Sequence, residues 1–475
     1  MSLNKGVLRR LRIATIWGAV ALAGCSVTPP GAPEVPFKLP AEFVATPSHA
    51  YVPADRWWLD FDDEKLNQFV ATALEHNPGL AQAIARTRIA EAQTRLSRAD
   101  QLPQVGLGAG STRQRQNMAG LPGAEAIEGG QILSTNHNVA VDVSWELDLW
   151  GRLSAMSASA QADYLASGEQ LRAMRQSVAA QAVRLYFEVV HARAQVALSE
   201  RIVKSFGGMA EQINNRVEVG IASPADGMLA NANVESARAG LEQRLEALER
   251  SVRQLEVLLG DYPGGALNTA DVLPDVPAPP AAGVPADLLA RRPDVQAAEL
   301  SLLAAGYQMQ AAQRSFLPSI SLTGSAGYAN NELANLFSSS NFIWSIAGRI
   351  LQPVFQGGRL TAQVDIAEGQ RDEALHSYAE TALNALAEVE IALAVDTLLA
   401  RREDALDSSA TSAEEAVKVS FNRYFQGIDP FLNVLESQQR ALDNRSAYIN
   451  THFARLENRI ALHLALGGGF KDEPQ

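Results

Sequence analysis

Apolar and polar residues alternate strictly along one stretch of the chain, from position 139 to position 149. The odd positions carry Val, Val, Val, Trp, Leu and Leu, and the even positions between them carry Ala, Asp, Ser, Glu and Asp. A period of two is typical of a β-strand with one apolar and one polar face. Three further stretches alternate less sharply, so the pattern predicts four strands, at about 104–117, 136–147, 319–330 and 341–351.

Two long stretches without proline follow the strands. Residues 153–219 and 360–426 are rich in Ala, Leu, Glu, Gln and Arg, which are good helix formers. At 1.5 Å per residue, each stretch would form a helix about 100 Å long, a length that indicates coiled-coil packing. We therefore expect two antiparallel helical hairpins, with long helices at about 152–219 and 358–426 and return helices at about 225–259 and 431–466.

The body of the chain contains an internal sequence repeat. The pair Gly151-Arg152 recurs as Gly358-Arg359, and Gly220-Ile221 recurs at the same offset as Gly427-Ile428. So long a period is typical of a duplicated domain and not of a solenoid of short units. The sequence predicts a first repeat at 56–260, a proline-rich linker at 261–285 and a second repeat at 286–475.

The alternating strands allow two interpretations. They form either a soluble sheet that covers a core or a membrane-spanning sheet with its apolar face outward. Aromatic residues near the strand ends favour the membrane, where an interfacial belt needs them; these are Trp145, Trp150, Tyr328, Phe342 and Trp344. Because open sheet edges cannot lie in lipid, four spanning strands require several chains, and two or three copies both close a barrel. We expect the acids of the polar face, Asp142, Glu146 and Asp148, to be solvated inside a pore.

The residues at the N-terminus predict an export signal. Four basic residues within positions 1–12 precede a short apolar run at 13–21, and Leu22-Ala23-Gly24-Cys25 follows. These four residues resemble a bacterial lipobox, so we expect cleavage after residue 24 and acylation of Cys25, the only cysteine. The alternative is a buried, inert cysteine. Seven prolines between positions 28 and 53 predict an extended tether within residues 25–55. In the Gram-negative lipoproteins that the lipobox resembles, an Asp after the cysteine tends to retain the protein in the inner membrane, so the resemblance implies the outer membrane for this chain, which has Ser26.

Composition and motifs argue against several classes of function. A net charge of −13 and a pI of about 5.1 disfavour nucleic-acid binding, which needs a basic surface. The seven histidines are scattered, and the sequence holds no HExxH, CxxC, GxSxG or P-loop motif. We therefore expect no enzyme activity, no cofactor and no metal site.

Together these features resemble the outer-membrane factors, the TolC-like channels of tripartite pumps, and within them the lipid-anchored NodT-type efflux branch. The resemblance covers nearly the whole chain and rests on several short motifs taken together. They are Trp57-Trp58-Leu59-Asp60-Phe61, Asn77-Pro78-Gly79-Leu80, the stretch from Trp145 to Arg152, the stretch from Gln352 to Arg359, and Ala465-Leu466-Gly467-Gly468-Gly469.

The resemblance implies a mainly α fold with transmembrane β-strands, built from the duplicated strand-strand-long-helix repeat. Three chains would form a twelve-stranded outer-membrane barrel that continues as a periplasmic α-helical coiled-coil barrel with an equatorial belt. The partners implied are a homotrimer, a periplasmic adaptor, an inner-membrane pump of RND type and outer-membrane lipid. The implied function is passive export of drugs or other toxic compounds, in a Gram-negative bacterium.

In this family the helical tips meet the adaptor. The stretch Val219-Gly220-Ile221-Ala222-Ser223 matches the family's tip turn, whereas the second copy, Gly427-Ile428-Asp429, departs from it after the isoleucine. The alternative interpretation is plain turn chemistry, in which the glycine ends a helix. We expect Ile221 and Ile428 to contact the adaptor, because apolar residues at a tip have little local core to fill.

The resemblance also implies a periplasmic gate on the second return helix. A leucine and, four residues later, an acid narrow the channel in the family, and Leu432 and Glu436 occupy those positions. Here Glu replaces the usual Asp, and Gln439 replaces an arginine that often follows, with Arg440 one position further.

Two alternatives remain at the level of sequence: a type I protein-secretion duct of the same architecture, and a non-conducting, lipid-anchored coiled-coil scaffold.

Overall fold

The computed structural model describes residues 29, 31, 37–44, 56–117 and 131–468 of the 475 residues. Cys25, the predicted signal peptide and most of the predicted tether lie outside the described residues. In the described part of the chain, no helix is both long enough and apolar enough to cross a membrane.

The first repeat opens with a 3₁₀ turn at Trp57–Phe61. It continues through α1 (Glu64–His76), α2 (Pro78–Ala99), β1 (Gln104–Asn117), β2 (Gln131–Leu147), α3 (Arg152–Glu218) and α4 (Pro224–Leu259). Strand β2 begins at Gln131, earlier than the predicted start near 136, because it pairs with β1 as far as Asn117. The alternation that marks residues 139–149 fades in this outer part of the strand, so the sequence pattern did not reveal it.

The second repeat follows the same order. Its elements are α5 (Pro285–Arg291), α6 (Pro293–Arg314), β3 (Ser319–Asn330), β4 (Phe342–Leu351), α7 (Arg359–Phe425) and α8 (Phe431–Ala465). The long helices α3 and α7 each contain 67 residues. The duplicated strand-strand-long-helix pattern predicted for the fold is therefore confirmed.

The four strands form one antiparallel sheet in the order β1-β2-β3-β4, so β1 and β4 are its edges. Tyr328 lies opposite Val139 on one side and Phe342 on the other, which places all three on one face. At Gly327, an added Cβ would lie 2.1 Å from the carbonyl oxygen of Val139, so this close strand approach requires glycine.

The register gives the sheet one apolar face and one polar face. The apolar face carries Val105, Leu107, Ala109, Val139, Val141, Val143, Trp145, Leu147, Ile320, Leu322, Ala326, Tyr328, Phe342, Trp344, Ile346 and Ile350. The polar face includes Asp142, Ser144, Glu146, Ser321, Thr323, Ser325, Ser345 and Arg349. Leu107 and Ile346 are 77% and 78% exposed, so the apolar face does not cover a core within the described part of the chain.

Asp148 has a role that the sequence analysis missed. We expected a solvated carboxylate on the pore side, but Asp148 caps the first turn of α3. It accepts hydrogen bonds from the backbone N–H of Leu153 at 2.9 Å and of Ser154 at 2.7 Å, and from the Ser154 hydroxyl at 2.6 Å. The carboxylate satisfies donors that a helix N-terminus leaves free.

The described chain divides into two compact units, and neither unit coincides with one repeat. Among the described residues, one unit holds the sheet with residues 88–117, 131–166 and 298–377, and the other holds residues 37–44, 56–87, 167–297 and 378–468. Both repeats contribute to each unit, because the long helices run through both. The largest core lies in the second unit, where Trp57 and Phe61 pack with Phe187 and Leu255.

Candidate functional site

The first hairpin turns at Gly220, directly after α3. The N–H of Ile221 donates to the carbonyl of Arg216 at 2.8 Å, and the N–H of Gly220 donates to the carbonyl of Val217 at 3.0 Å. This pair of bonds is the Schellman motif, which ends a helix with a residue of positive φ. Gly220 has φ +76°, a value that glycine adopts without strain.

The second hairpin turns in the same way at Gly427, where φ is +73°. The N–H of Ile428 donates to the carbonyl of Arg423 at 3.0 Å, and the N–H of Gly427 donates to the carbonyl of Tyr424 at 2.9 Å. The two tips are therefore built by one backbone motif, although their sequences diverge after the isoleucine.

The isoleucine of each tip is left exposed. In a Schellman motif the residue after the glycine usually packs on an apolar residue of the last turn, but that position is Arg216 in one tip and Arg423 in the other. Ile221 is 65% exposed and Ile428 is 55% exposed. Neighbouring Val219 is exposed as well, at 68%. The geometry of the turns explains why each contains a glycine. It does not explain why Val219, Ile221 and Ile428 are apolar and exposed.

The remaining tip residues serve the turns themselves. The Ser223 hydroxyl accepts from the N–H of Ala225 at 3.2 Å and caps α4, which begins at Pro224, and Ala222 is half-buried. In the second tip, Asp429 forms a two-point ion pair with Arg423, at 2.6 and 3.1 Å. The hydrogen bond from Arg423 lowers the pKa of Asp429, so this acid stays charged and is held within its own tip.

An aromatic cluster joins the two hairpins just behind the tips. We call it the tip cluster; its buried members are Ala210, Ile213, Ala230, Val234, Tyr424, Phe431 and Val434. The rings of Tyr424 and Phe431 lie 5.3 Å apart, and Tyr424 also contacts Phe425 at 6.1 Å. Since members come from α3, α4, α7 and α8, this packing fixes one hairpin against the other.

Polar contacts reinforce the tip cluster. The hydroxyl of Tyr424 donates to Oδ2 of Asp226 at 3.0 Å, and burial together with this bond raises the pKa of Tyr424 to about 12. Arg216 donates from Nη1 to the carbonyl of Phe425 at 3.2 Å, and its guanidinium lies 4.8 Å from the centre of the Phe425 ring. Both contacts cross from the first hairpin to the second.

The predicted gate residues lie on one exposed face of α8. Leu432 is 58% exposed, and the Glu436 carboxylate, also exposed, lies 3.8 Å from the guanidinium of Arg440, one helical turn away. Gln439 does not contact the acid and donates to Asp443 at 2.8 Å instead. At 3.8 Å the Glu436–Arg440 pair is longer than a charge-assisted hydrogen bond, so the acid is loosely held.

The sequence analysis missed Arg216, Asp226 and Tyr424. A residue-by-residue comparison of the two repeats contains the signal, because Tyr424 and Phe425 stand where the first repeat has Val217 and Glu218. Aromatic residues gathered beside only one of two equivalent turns indicate a contact that the turn itself does not need.

In the described part of the chain, no three His, Cys, Asp or Glu side chains lie close enough to hold a metal ion.

Known proteins share the sequence features and the fold of this chain. A protein-family model described as outer membrane efflux protein matches residues 69–261 and 284–468. The toluene efflux pump outer membrane protein TtgF of Pseudomonas putida is 31% identical over 464 residues, which are 95% of this chain and 95% of that protein. The cation efflux system protein CusC of Escherichia coli is 29% identical over 460 residues, which are 95% of this chain and 98% of that protein.

A solved structure shares the fold along nearly its whole length. The outer-membrane channel OprN superposes with a TM-score of 0.84 at 26% sequence identity, and the match covers 94% of this chain and 99% of that one.

Proposed function

The chain belongs to the outer membrane efflux protein family, and we propose that it works as a homotrimeric passive duct, coupled through a periplasmic adaptor to an inner-membrane pump of RND type. It is an outer-membrane channel of an efflux system. In this proposal the pump supplies the energy and selects the cargo, and the duct carries out no chemistry.

The open sheet supports an oligomer, and the number three comes from the family resemblance. Strands β1 and β4 are edges of a sheet whose apolar face is exposed. Backbone N–H and C=O groups at an open edge are too costly to leave in lipid, so neighbouring chains must pair them. Three copies give twelve strands, with the apolar faces toward lipid and the polar faces toward a water-filled pore.

The tips are proposed to bind the adaptor through their exposed isoleucines. Ile221 and Ile428 project from two identical backbone turns, so each protomer presents two similar apolar contacts. Apolar side chains of this size contribute about 1.5–3 kcal/mol each when a partner buries them. Asp429 and Arg423 form a charged rim beside the second contact.

The gate is proposed at Leu432 and Glu436. Three copies of Leu432 would form an apolar ring, and three copies of Glu436 a ring of carboxylates that favours cations. Gln439 is paired with Asp443 and does not lock this acid. In the protomer, the contacts between Tyr424 and Asp226 and between Arg216 and Phe425 resist separation of the hairpins, so we assign the locking role to them.

Acylated Cys25 is proposed to hold the N-terminus in the periplasmic leaflet of the outer membrane. Two or more acyl chains are needed for stable anchoring, and a lipobox cysteine offers its thiol and its new amine. The cargo class remains drugs or other toxic compounds, because the relatives differ: one is named for toluene and another for cations.

One pair of measurements tests the duct. The purified full-length protein should have the mass of three copies by light scattering, and it should conduct ions in a planar bilayer. A non-conducting monomer would support the scaffold alternative instead. Growth of a deletion strain on antibiotics, dyes, solvents and metal ions then identifies the cargo, and unchanged growth with an altered set of secreted proteins would favour the type I secretion duct.

A further inference from the structure

Strands β1 and β2 continue beyond the rest of the sheet as a two-stranded ribbon. Strand β3 pairs with β2 only from His137 to Leu147, whereas β1 pairs with β2 as far out as Gln131. The ribbon therefore extends past the ends of β3 and β4, at the end of the sheet opposite to the long helices.

The exposed apolar face changes character at the start of this ribbon. Its last apolar row contains Ala109, Val139, Tyr328 and Phe342. The following rows on the same face hold Ser111 with His137, then Arg113 with Thr135, then Arg115 with Leu133. One polar row, Ser111 with His137, thus separates the two arginines from the apolar part of this face.

The charges of the ribbon are confined to that face. On the opposite face, the equivalent rows pair Thr112 with Asn136, Gln114 with Ser134, and Gln116 with Ile132. None of these side chains is charged. Both arginines are exposed, and neither forms an ion pair with a carboxylate among the described residues. A need for solubility does not explain why the arginines lie on one face only, because charged side chains on either face of the ribbon would make it soluble.

The geometry sets the level of these arginines in the membrane. From the row of Val139 to the row of Leu147, the apolar band spans nine positions of β2, the length of a tilted membrane-crossing strand. The long helices leave at the Leu147 end and belong to the periplasm, so the ribbon lies at the outer leaflet. With a rise of about 3.3 Å per residue and a tilt near 40°, Arg113 and Arg115 stand about 10–15 Å beyond the band.

We propose that Arg113 and Arg115 bind the phosphate groups of lipopolysaccharide in the outer leaflet. A guanidinium matches a phosphate with two parallel hydrogen bonds, and the outward face brings both arginines to the polar layer of the lipid. The inference rests on the outer-membrane location and does not depend on the gate, the tips or the cargo.

The test uses the full-length protein in nanodiscs and native mass spectrometry with two lipids that differ only in phosphate. Wild type should bind bisphosphorylated lipid A about tenfold more tightly than dephosphorylated lipid A. In the double variant R113Q/R115Q this preference should disappear, while R113K/R115K should keep most of it. The control is R349Q, which removes one positive charge from the polar face of the same sheet, against two in the double variant, and should leave the preference at the wild-type level.

Three results would overturn the proposal. They are a wild type without preference for the phosphorylated lipid, a double variant that keeps the preference, and an R349Q variant that loses it equally. A further arm offers phosphatidylglycerol, and tenfold preference for that lipid over lipid A would also reject lipopolysaccharide as the ligand. R113Q/R115Q should retain wild-type conductance, so a binding defect is distinguishable from failure of the channel to assemble.

Discussion

The hydroxyl of Tyr424 donates a 3.0 Å hydrogen bond to Oδ2 of Asp226, and this bond joins the last turn of α7 to the first turn of α4. The two helices belong to different repeats and to different hairpins. The bond therefore ties together two segments that would separate if the tips moved apart. Because Tyr424 is 7% exposed, water does not easily replace Asp226 as the acceptor.

Removing this bond should favour a more open channel. Tyr424→Phe deletes only the hydroxyl, and the net value of one buried hydrogen bond is about 1 kcal/mol, or about a fivefold shift in an equilibrium. We expect a higher mean single-channel conductance in planar bilayers. Tyr262→Phe makes the same chemical change at an exposed linker tyrosine and should have no effect. Unaltered conductance in Tyr424→Phe would show that this bond does not restrain the tips.

The gate assignment makes a second prediction about conductance. Replacing both Leu432 and Glu436 with alanine should raise single-channel conductance, since it would remove the proposed apolar ring and the proposed acid ring together. Glu436→Gln alone should lower the preference for cations over anions, measured as a shift in reversal potential across a salt gradient. Glu235→Gln, at an exposed acid of α4 paired with Arg238 at 2.7 Å, is the control. Equal effects from the control would refute the assignment.

The tips should bind the adaptor mainly through their isoleucines. Ile221→Ser with Ile428→Ser removes two exposed apolar side chains without touching the backbone bonds of the turns, so folding and conductance should persist. Affinity for the adaptor should fall about tenfold or more, as judged from the apolar area lost. Surface plasmon resonance with the immobilised adaptor measures this, and Val272→Ser, an exposed apolar position in the linker, should bind like wild type.

His463 should make stability depend on pH. It stacks on Trp57 with ring centres 5.0 Å apart, and burial together with Arg459 lowers its pKa to about 4 from an ordinary value of 6.5. Between those values the unfolded chain binds a proton that the folded chain does not. The free energy of unfolding should therefore fall by about 3 kcal/mol in total as pH drops from about 6.5 to about 4.

His463→Phe keeps an aromatic ring against Trp57 and removes the titrating group. The variant should lose this part of the pH dependence, as measured by chemical denaturation at several pH values. Other side chains also titrate in this pH range. The quantity to compare is therefore the difference in free energy of unfolding between the variant and the wild type at each pH. A difference that stays constant from about pH 7 to about pH 4 would mean that His463 is not buried in its neutral form.

Cys25 should be required for anchoring and not for folding. Cys25→Ala should abolish incorporation of labelled palmitate and shift the protein from the membrane fraction toward the soluble periplasm before assembly. The proposed trimer would have its own apolar band once assembled, so conductance of purified Cys25→Ala should match that of wild type. Palmitate labelling that persists in the variant would place the acyl chain on another residue.

The sequence by itself determined the local elements and their duplication. The period of two at 139–149 and the long runs of good helix formers are local signals, and they predicted the strands and the long helices. Short motifs such as Trp57-Trp58-Leu59-Asp60-Phe61 and Asn77-Pro78-Gly79-Leu80 carried the resemblance to the family. Each of these features depends on residues that are neighbours along the chain.

Tertiary structure decided what depends on distant partners. The sequence marked Asp148 as an acid of the polar face, but only the approach of the α3 N-terminus made it a cap. The sequence predicted two repeats, and each compact unit of the structure combines residues of both, a grouping that depends on contacts between distant parts of the chain. The bond between Tyr424 and Asp226 spans nearly two hundred residues. No periodicity encodes such a contact, since it exists only after four helices have packed together.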